Sequence, residues 1–132
     1  MPEHLVVDAS VLIDLLADTG RGPAVAARLR DAMLHAPAHI DIEVLSGLGR
    51  MHRDRRLPLE RVEARLAWLT QAPIERHPLA PLLSGAWKRR HRLQLADALY
   101  AELAESLGAL LVTSDTGLAA NFDGSDLIPG KP

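Results

Sequence analysis

The segment LVVDAS, residues 5–10, has the pattern of a short strand that leads directly into a helix. Leu5, Val6 and Val7 form an apolar run of the length expected for a buried strand, and Asp8 follows at once. The segment LLVTSD, residues 110–115, repeats this pattern and carries Asp115 two residues after its strand. If the two strands are parallel neighbours, both carboxylates emerge at the carboxyl ends of the strands, where open α/β sheets bind ligands.

Between these two strands the apolar residues recur with helical spacing, most clearly at Leu59, Val62, Leu66 and Leu69. The pattern predicts helices over residues 41–52, 59–69, 79–90 and 96–107, and further short strands at residues 34–39, 73–77 and 127–128. Connections that contain helices suit parallel strands and are too long for hairpins. The sequence therefore predicts an α/β domain with a small, largely parallel sheet of four or five strands sandwiched between helices.

Length and composition narrow the class of protein further. The 132 residues fit one domain, 1–132, and the 48% apolar and 24% charged residues are typical of a folded globular chain. Cysteine is absent, which excludes disulfides and thiolate chemistry. We see no signal peptide and no apolar stretch near the ~20 residues that span a bilayer, so we expect a cytoplasmic protein without membrane contact.

The net charge of −2 argues against a general polyanion binder, but the basic residues are clustered. Eight of the 15 basic residues lie in two short segments: Arg50, Arg53, Arg55 and Arg56, and Lys88, Arg89, Arg90 and Arg92. These segments could be two solvated helix ends. Alternatively, they could contact phosphates around an acidic site, because local basic patches guide a nucleic-acid backbone.

Four of the 17 acidic residues have distinctive positions. Asp8 and Asp115 follow strands, whereas Glu43 and Asp97 lie in the first turns of predicted helices among apolar neighbours. Each position also has a simpler interpretation. Asp8 could cap a helix, and Asp115 could form an Asx turn. Glu43 and Asp97 could be there simply because an acid in the first turn of a helix is favoured by the helix dipole. From the residues alone, these alternatives remain open.

Other catalytic chemistries have no matching motif. The chain lacks a Gly-rich phosphate loop and a His-Glu-x-x-His motif, and its six histidines are scattered without metal-ligand spacing. Carboxylates without His or Cys partners select a hard cation such as Mg²⁺ or Mn²⁺.

Taken in order, the four acidic segments resemble the PIN-domain ribonucleases, and most closely the VapC-type toxins of toxin–antitoxin pairs. The matching segments are VVDAS (6–10), EVL (43–45), LADALYA (95–101) and LLVTSD (110–115), and they cover essentially the whole chain. The resemblance implies a three-layer α/β/α fold and cleavage of single-stranded RNA that depends on Mg²⁺ or Mn²⁺.

Residue by residue, the resemblance implies that Asp8, Glu43, Asp97 and Asp115 are the catalytic, metal-holding acids, with Ser10 and Thr113 as polar supports. Some relatives carry a further acid two residues beyond the last aspartate. Gly117 stands there in this chain, so we expect one firmly bound ion. Arg90 and Arg92 lie nearest Asp97 among the basic residues and are our candidates for RNA phosphate contacts.

The resemblance also implies two protein partners. One is a second copy of the chain, in a homodimer formed through apolar faces of the helices around residues 44–48 and 59–69. The other is a VapB-type antitoxin, whose flexible segment we expect to place an Arg or Lys against Asp8, Asp97 and Asp115. Two alternatives to a toxin stay open: a PIN nuclease of ordinary RNA maturation, and a non-catalytic scaffold that binds RNA or protein.

Overall fold

At least one helix separates every two consecutive strands in the computed structural model, which describes residues 1–129. The last three residues of the predicted single domain lie outside the described part. The strands are β1 (His4–Val7), β2 (Met33–Pro37), β3 (Ile74–His77), β4 (Leu110–Thr113) and β5 (Ser125–Leu127). The α-helices are α1 (Ala9–Leu16), α2 (Gly22–Leu29), α3 (Ile40–Arg53), α4 (Leu59–Gln71), α5 (Leu83–Lys88), α6 (Leu95–Leu107) and α7 (Thr116–Asn121).

All five strands pair in parallel, in the order β3-β2-β1-β4-β5, with helices on both faces of the sheet. The prediction of a three-layer α/β/α fold with a small parallel sheet is therefore confirmed. β1 lies at the centre and pairs with β4 so that Val7 is level with Val112. This register brings the residues that follow β1 and β4 to the same edge of the sheet.

The core is built from aliphatic side chains, as the low aromatic content requires. Leu5, Val6, Val7, Leu111 and Val112 of the two central strands are each fully buried. Because both faces of these strands pack against helices, the strands are apolar runs rather than alternating patterns.

Some predicted elements differ in their bounds. The helix predicted over residues 79–90 is a 3₁₀ turn, Ala80–Leu82, followed by the short α5. Pro81 supplies no N–H to an α-helical hydrogen bond, which favours an irregular start. Gly108 ends α6 in a left-handed conformation with φ of 62°, as its position predicted. Among residues 1–129, no helix is both long enough and apolar enough to cross a membrane.

Candidate active site

Asp8 is the most buried carboxylate of the acidic group. Only 5% of the residue is exposed, at the point where β1 passes into α1. Its Oδ1 accepts hydrogen bonds from the Ser10 hydroxyl at 2.6 Å and from the Val11 N–H at 3.1 Å. Its Oδ2 accepts one from the Thr113 hydroxyl at 2.6 Å. Asp8 thus caps α1 and is also fixed from β4, so helix capping is real but does not account for the Thr113 bond.

Ser10 and Thr113 connect the two strand ends through Asp8 and through the backbone that follows β4. The Thr113 hydroxyl, which is fully buried, accepts from the Asp115 N–H at 3.0 Å. The Ser10 hydroxyl accepts from the Ser114 N–H at 3.1 Å. The two predicted supporting residues therefore orient Asp8 and hold the segment that carries Asp115.

Asp115 caps α7 and is exposed to solvent. Its Oδ1 accepts from the N–H groups of Gly117 and Leu118 at 2.8 and 3.1 Å. Beside it lies a cavity of about 190 Å³ that Asp97, Asp115 and Arg92 line together with Leu93, Gln94, Gly117, Leu118 and Asn121. The structure therefore places Asp97 and Asp115 on one cleft, with Arg92 at its rim.

Glu43 is held by a residue that sequence reasoning missed. The buried Tyr100 donates its hydroxyl to Glu43 Oε1 at 2.6 Å, and burial together with Glu43 raises the pKa of that phenol. Tyr100 lies three residues after Asp97 on α6, so the two side chains share a helix face. That spacing is the signal that could have found it.

His39 is a second residue that the sequence analysis missed. Its Nε2 lies 3.0 Å from the Ala96 carbonyl oxygen, to which it donates, and 3.5 Å from Glu43 Oε1. Its ring packs against that of Tyr100, with 4.8 Å between the centroids. His39 and Tyr100 therefore join the start of α3 to the start of α6 and position Glu43 beside Asp97.

The carboxylates affect one another electrostatically. The pKa of Asp8 is raised to about 6, mainly by burial and also by the charge of Asp97, against the lowering effect of its hydrogen bonds from Ser10, Thr113 and Val11. Burial also raises the pKa of Asp97, and the nearby charges of Asp115 and Glu43 add to this effect. Asp97 thus interacts with all three other acids and lies at the electrostatic centre of the group.

The two arginines predicted to contact RNA phosphates differ in their surroundings. Arg92 borders the acidic cleft, whereas Arg90 stacks on the Trp87 ring at 4.6 Å and donates to the Trp87 carbonyl oxygen. From the other basic segment, Arg50 lines a cavity of about 180 Å³ with Glu43, Ile42 and Ser46. One arginine from each basic segment therefore borders the acidic group.

Known proteins with similar sequences show the family to which this chain belongs. The PIN domain family model matches residues 5–122, and the chain belongs to the PIN-domain family. It is 56% identical to Ribonuclease VapC3 of Mycobacterium tuberculosis over 119 residues, which are 89% of this chain and 87% of that protein. It is 36% identical to Ribonuclease VapC12 of the same organism over 115 residues, which are 87% of this chain and 89% of that protein. Within the PIN-domain family, the chain is therefore one of the VapC ribonucleases.

A chain of a toxin-antitoxin complex from Klebsiella pneumoniae has the same fold. It superposes with a TM-score of 0.69 at 17% identity, covering 95% of this chain and 98% of that one.

Proposed function

We propose that this protein is a toxin ribonuclease that hydrolyses RNA at a divalent-metal site formed by Asp8, Glu43, Asp97 and Asp115. The supporting observation is the placement of these acids: Asp8 and Asp115 follow β1 and β4, Glu43 and Asp97 lie at the starts of α3 and α6, and Asp97 interacts with the charges of the other three. The VapC relatives support hydrolysis of RNA. A buried carboxylate with a raised pKa beside other acids favours a catalytic site over a scaffold that only binds RNA.

The donor set fits Mg²⁺ or Mn²⁺. It consists of carboxylate oxygens: the charges of Asp115 and Glu43 raise the pKa of Asp97, and Asp97 raises that of Asp8, so a bound cation relieves repulsion within the set. In residues 1–129, no three of these acids bring their carboxylate oxygens within 4.8 Å of one another. Mg²⁺ in proteins usually keeps several of its waters, so binding does not require all four acids to contact the ion directly. When bound, the ion supplies positive charge for the phosphate and lowers the pKa of a water.

Other residues of this chain position the acids or contact the RNA. Ser10 and Thr113 hold Asp8 in one rotamer, and Tyr100 and His39 hold Glu43 beside Asp97. Arg92 and Arg50 are the proposed contacts to the phosphates on the two sides of the cleft. Arg90 remains a weaker candidate, because its guanidinium is engaged with Trp87.

The test is cleavage of total RNA by the purified protein, with the ends of the products mapped. We expect specific cleavage in Mg²⁺ or Mn²⁺ and its loss in EDTA. We also expect the metal to raise the thermal midpoint of unfolding by a few degrees, since a ligand that binds only the folded state stabilises it. Equal cleavage with and without EDTA contradicts the metal-dependent mechanism.

A homodimer is the proposed assembly, through α3 and α4. Leu45 and Trp68 on these helices are 46% and 41% exposed, and Leu59, at the end of the apolar stripe, is 55% exposed. We expect a dimer by sedimentation at micromolar concentration and a monomer after Leu45→Glu. A wild-type monomer under these conditions contradicts this assembly.

The proposed regulator is a VapB-type antitoxin. Exposed apolar side chains that could anchor a peptide lie on α5 and at the start of α6: Trp87 and Leu83 are each 57% exposed, and Leu95, two residues before Asp97, is 48% exposed. A flexible segment gains affinity from such anchors, and a basic residue placed against Asp8, Asp97 and Asp115 supplies the inhibition.

A further inference from the structure

Three histidines that are far apart in sequence form a continuous row on one face of the sheet. His4 Nδ1 lies 2.9 Å from His35 Nε2, and His35 Nδ1 lies 2.9 Å from His77 Nε2. The row follows from the strand register. Val6 of β1 is level with His35 of β2, and His35 is level with Glu75 of β3. His4 and His77 lie two residues from Val6 and Glu75 on the same strands. Because side chains alternate along a strand, His4, His35, Glu75 and His77 all project from the same face.

Three ligand atoms converge within this row. One ligand atom each from His35, Glu75 and His77 lies within 4.8 Å of the other two, an arrangement that no other three such residues share in the described chain. Glu75 Oε2 is 3.4 Å from His35 Nδ1. Ligands about 2.0–2.2 Å from a tetrahedral zinc ion are about 3.3–3.6 Å apart, so small side-chain rotations suffice to fit one.

We propose that His35 Nδ1, His77 Nε2 and a Glu75 carboxylate oxygen form a binding site for a zinc ion, with water in the fourth position. Two imidazoles and one carboxylate are a zinc ligand set, whereas Mg²⁺ prefers oxygen ligands only. This site shares no residue with the acidic group of Asp8, Glu43, Asp97 and Asp115. It is therefore a second metal site with a different ion preference.

His4 completes the site from outside the ligand set. When His35 gives its Nδ1 lone pair to the metal, its Nε2 carries the proton and donates to His4 Nδ1, 2.9 Å away. Metal-bound histidines usually donate their other N–H in this way, which fixes the tautomer and the ring orientation. His35 is only 6% exposed, and its burial lowers the pKa of the imidazole, which favours the neutral form that binds metal.

The position of the site indicates a role in holding the sheet together. β3 is an edge strand and pairs only with β2 in the described sheet. A zinc ion bound by His35 of β2 and by Glu75 and His77 of β3 joins the edge strand to its neighbour. Zinc should then stabilise the folded protein, because the unfolded chain does not present the three ligands together.

The experiment uses untagged protein, since a polyhistidine tag binds the same ions. After treatment with EDTA and its removal, the protein is titrated with Co²⁺ and then Zn²⁺ in saturating Mg²⁺, and the visible Co²⁺ spectrum and calorimetric heat are followed. We expect one ion per chain, with a tetrahedral Co²⁺ spectrum that Zn²⁺ abolishes, and a higher unfolding temperature with Zn²⁺.

Single substitutions test the proposed zinc ligands one at a time. His77→Gln and Glu75→Gln change side chains that are at least partly exposed, and each should weaken binding on the order of 100-fold. His4→Gln should weaken it about 10-fold, as loss of an orienting partner does. His91→Gln, at an exposed position outside the row, is the matched control and should bind as the wild type does.

Three results overturn the proposal. One is the absence of Co²⁺ and Zn²⁺ binding by the wild-type protein, which leaves the row as a chain of hydrogen-bonded imidazoles. Another is wild-type affinity in folded His77→Gln and Glu75→Gln. The third is loss of zinc binding in Asp97→Asn, which places the ion in the acidic group instead.

Discussion

Asp97→Asn should lower the rate of RNA cleavage by about 100- to 1,000-fold, the loss typical of removing one group that acts on the charge of the transition state. The charges of Asp115 and Glu43 both raise the pKa of Asp97. Asp97 in turn raises the pKa of Asp8. Asparagine keeps the shape of the side chain but removes the charge that holds a cation. The measurement is the initial cleavage rate of total RNA at fixed Mg²⁺.

A matched control distinguishes loss of the site from loss of charge in general. Asp54 is exposed at the C-terminal end of α3, so Asp54→Asn should cleave RNA at the wild-type rate. Without metal, Asp97→Asn should also unfold at a higher temperature than the wild type, because it relieves repulsion among the acids. Cleavage by Asp97→Asn within tenfold of the wild-type rate contradicts the proposed role of Asp97.

Much of this site follows from local sequence patterns. Two strands are recognisable as apolar runs, at residues 5–7 and 110–113. Their parallel pairing brings the residues that follow them to the same edge of the sheet. Asp8 and Asp115 could therefore be predicted together from the sequence. Glu43 and Asp97 could not be brought to that edge by pattern alone. Their positions depend on how α3 and α6 pack, and the family resemblance supplied them.

The contacts that the sequence did not predict depend on long-range geometry. Tyr100 bonds Glu43 across 57 residues, and the three histidines contact one another across 31 and 42 residues. Linear spacing indicates a metal site only when the ligands share a turn or a helix. In this chain the ligands share a sheet face, so the strand order β3-β2-β1 and the register must be known first.

Asp8 should make the metal-free protein less stable as the pH rises from about 4 to about 6. Its pKa is raised to about 6 in the folded protein from an ordinary value of 3.8. Well below pH 3.8 the carboxyl is protonated in both the folded and the unfolded chain, and its contribution to stability does not change with pH. Between the two pKa values the unfolded chain has lost the proton and the folded chain still holds it, so the free energy of unfolding falls as the pH rises.

The size of this effect follows from the two pKa values of Asp8, about 6 in the folded protein and 3.8 in the unfolded chain, whose difference corresponds to about 3 kcal/mol over the full pH range. Asp8→Asn does not titrate, so the difference in free energy of unfolding between wild type and variant isolates the contribution of Asp8 from that of the other carboxylates. Urea unfolding in EDTA from pH 4.5 to 7.5 should show the wild type losing about 2 kcal/mol of stability relative to Asp8→Asn, with the loss levelling off above about pH 6 to 7. Saturating Mg²⁺ should reduce the difference, because a cation favours the charged carboxylate. A difference that is independent of pH in EDTA contradicts the raised pKa, and one that Mg²⁺ leaves unchanged removes Asp8 from the proposed ligands.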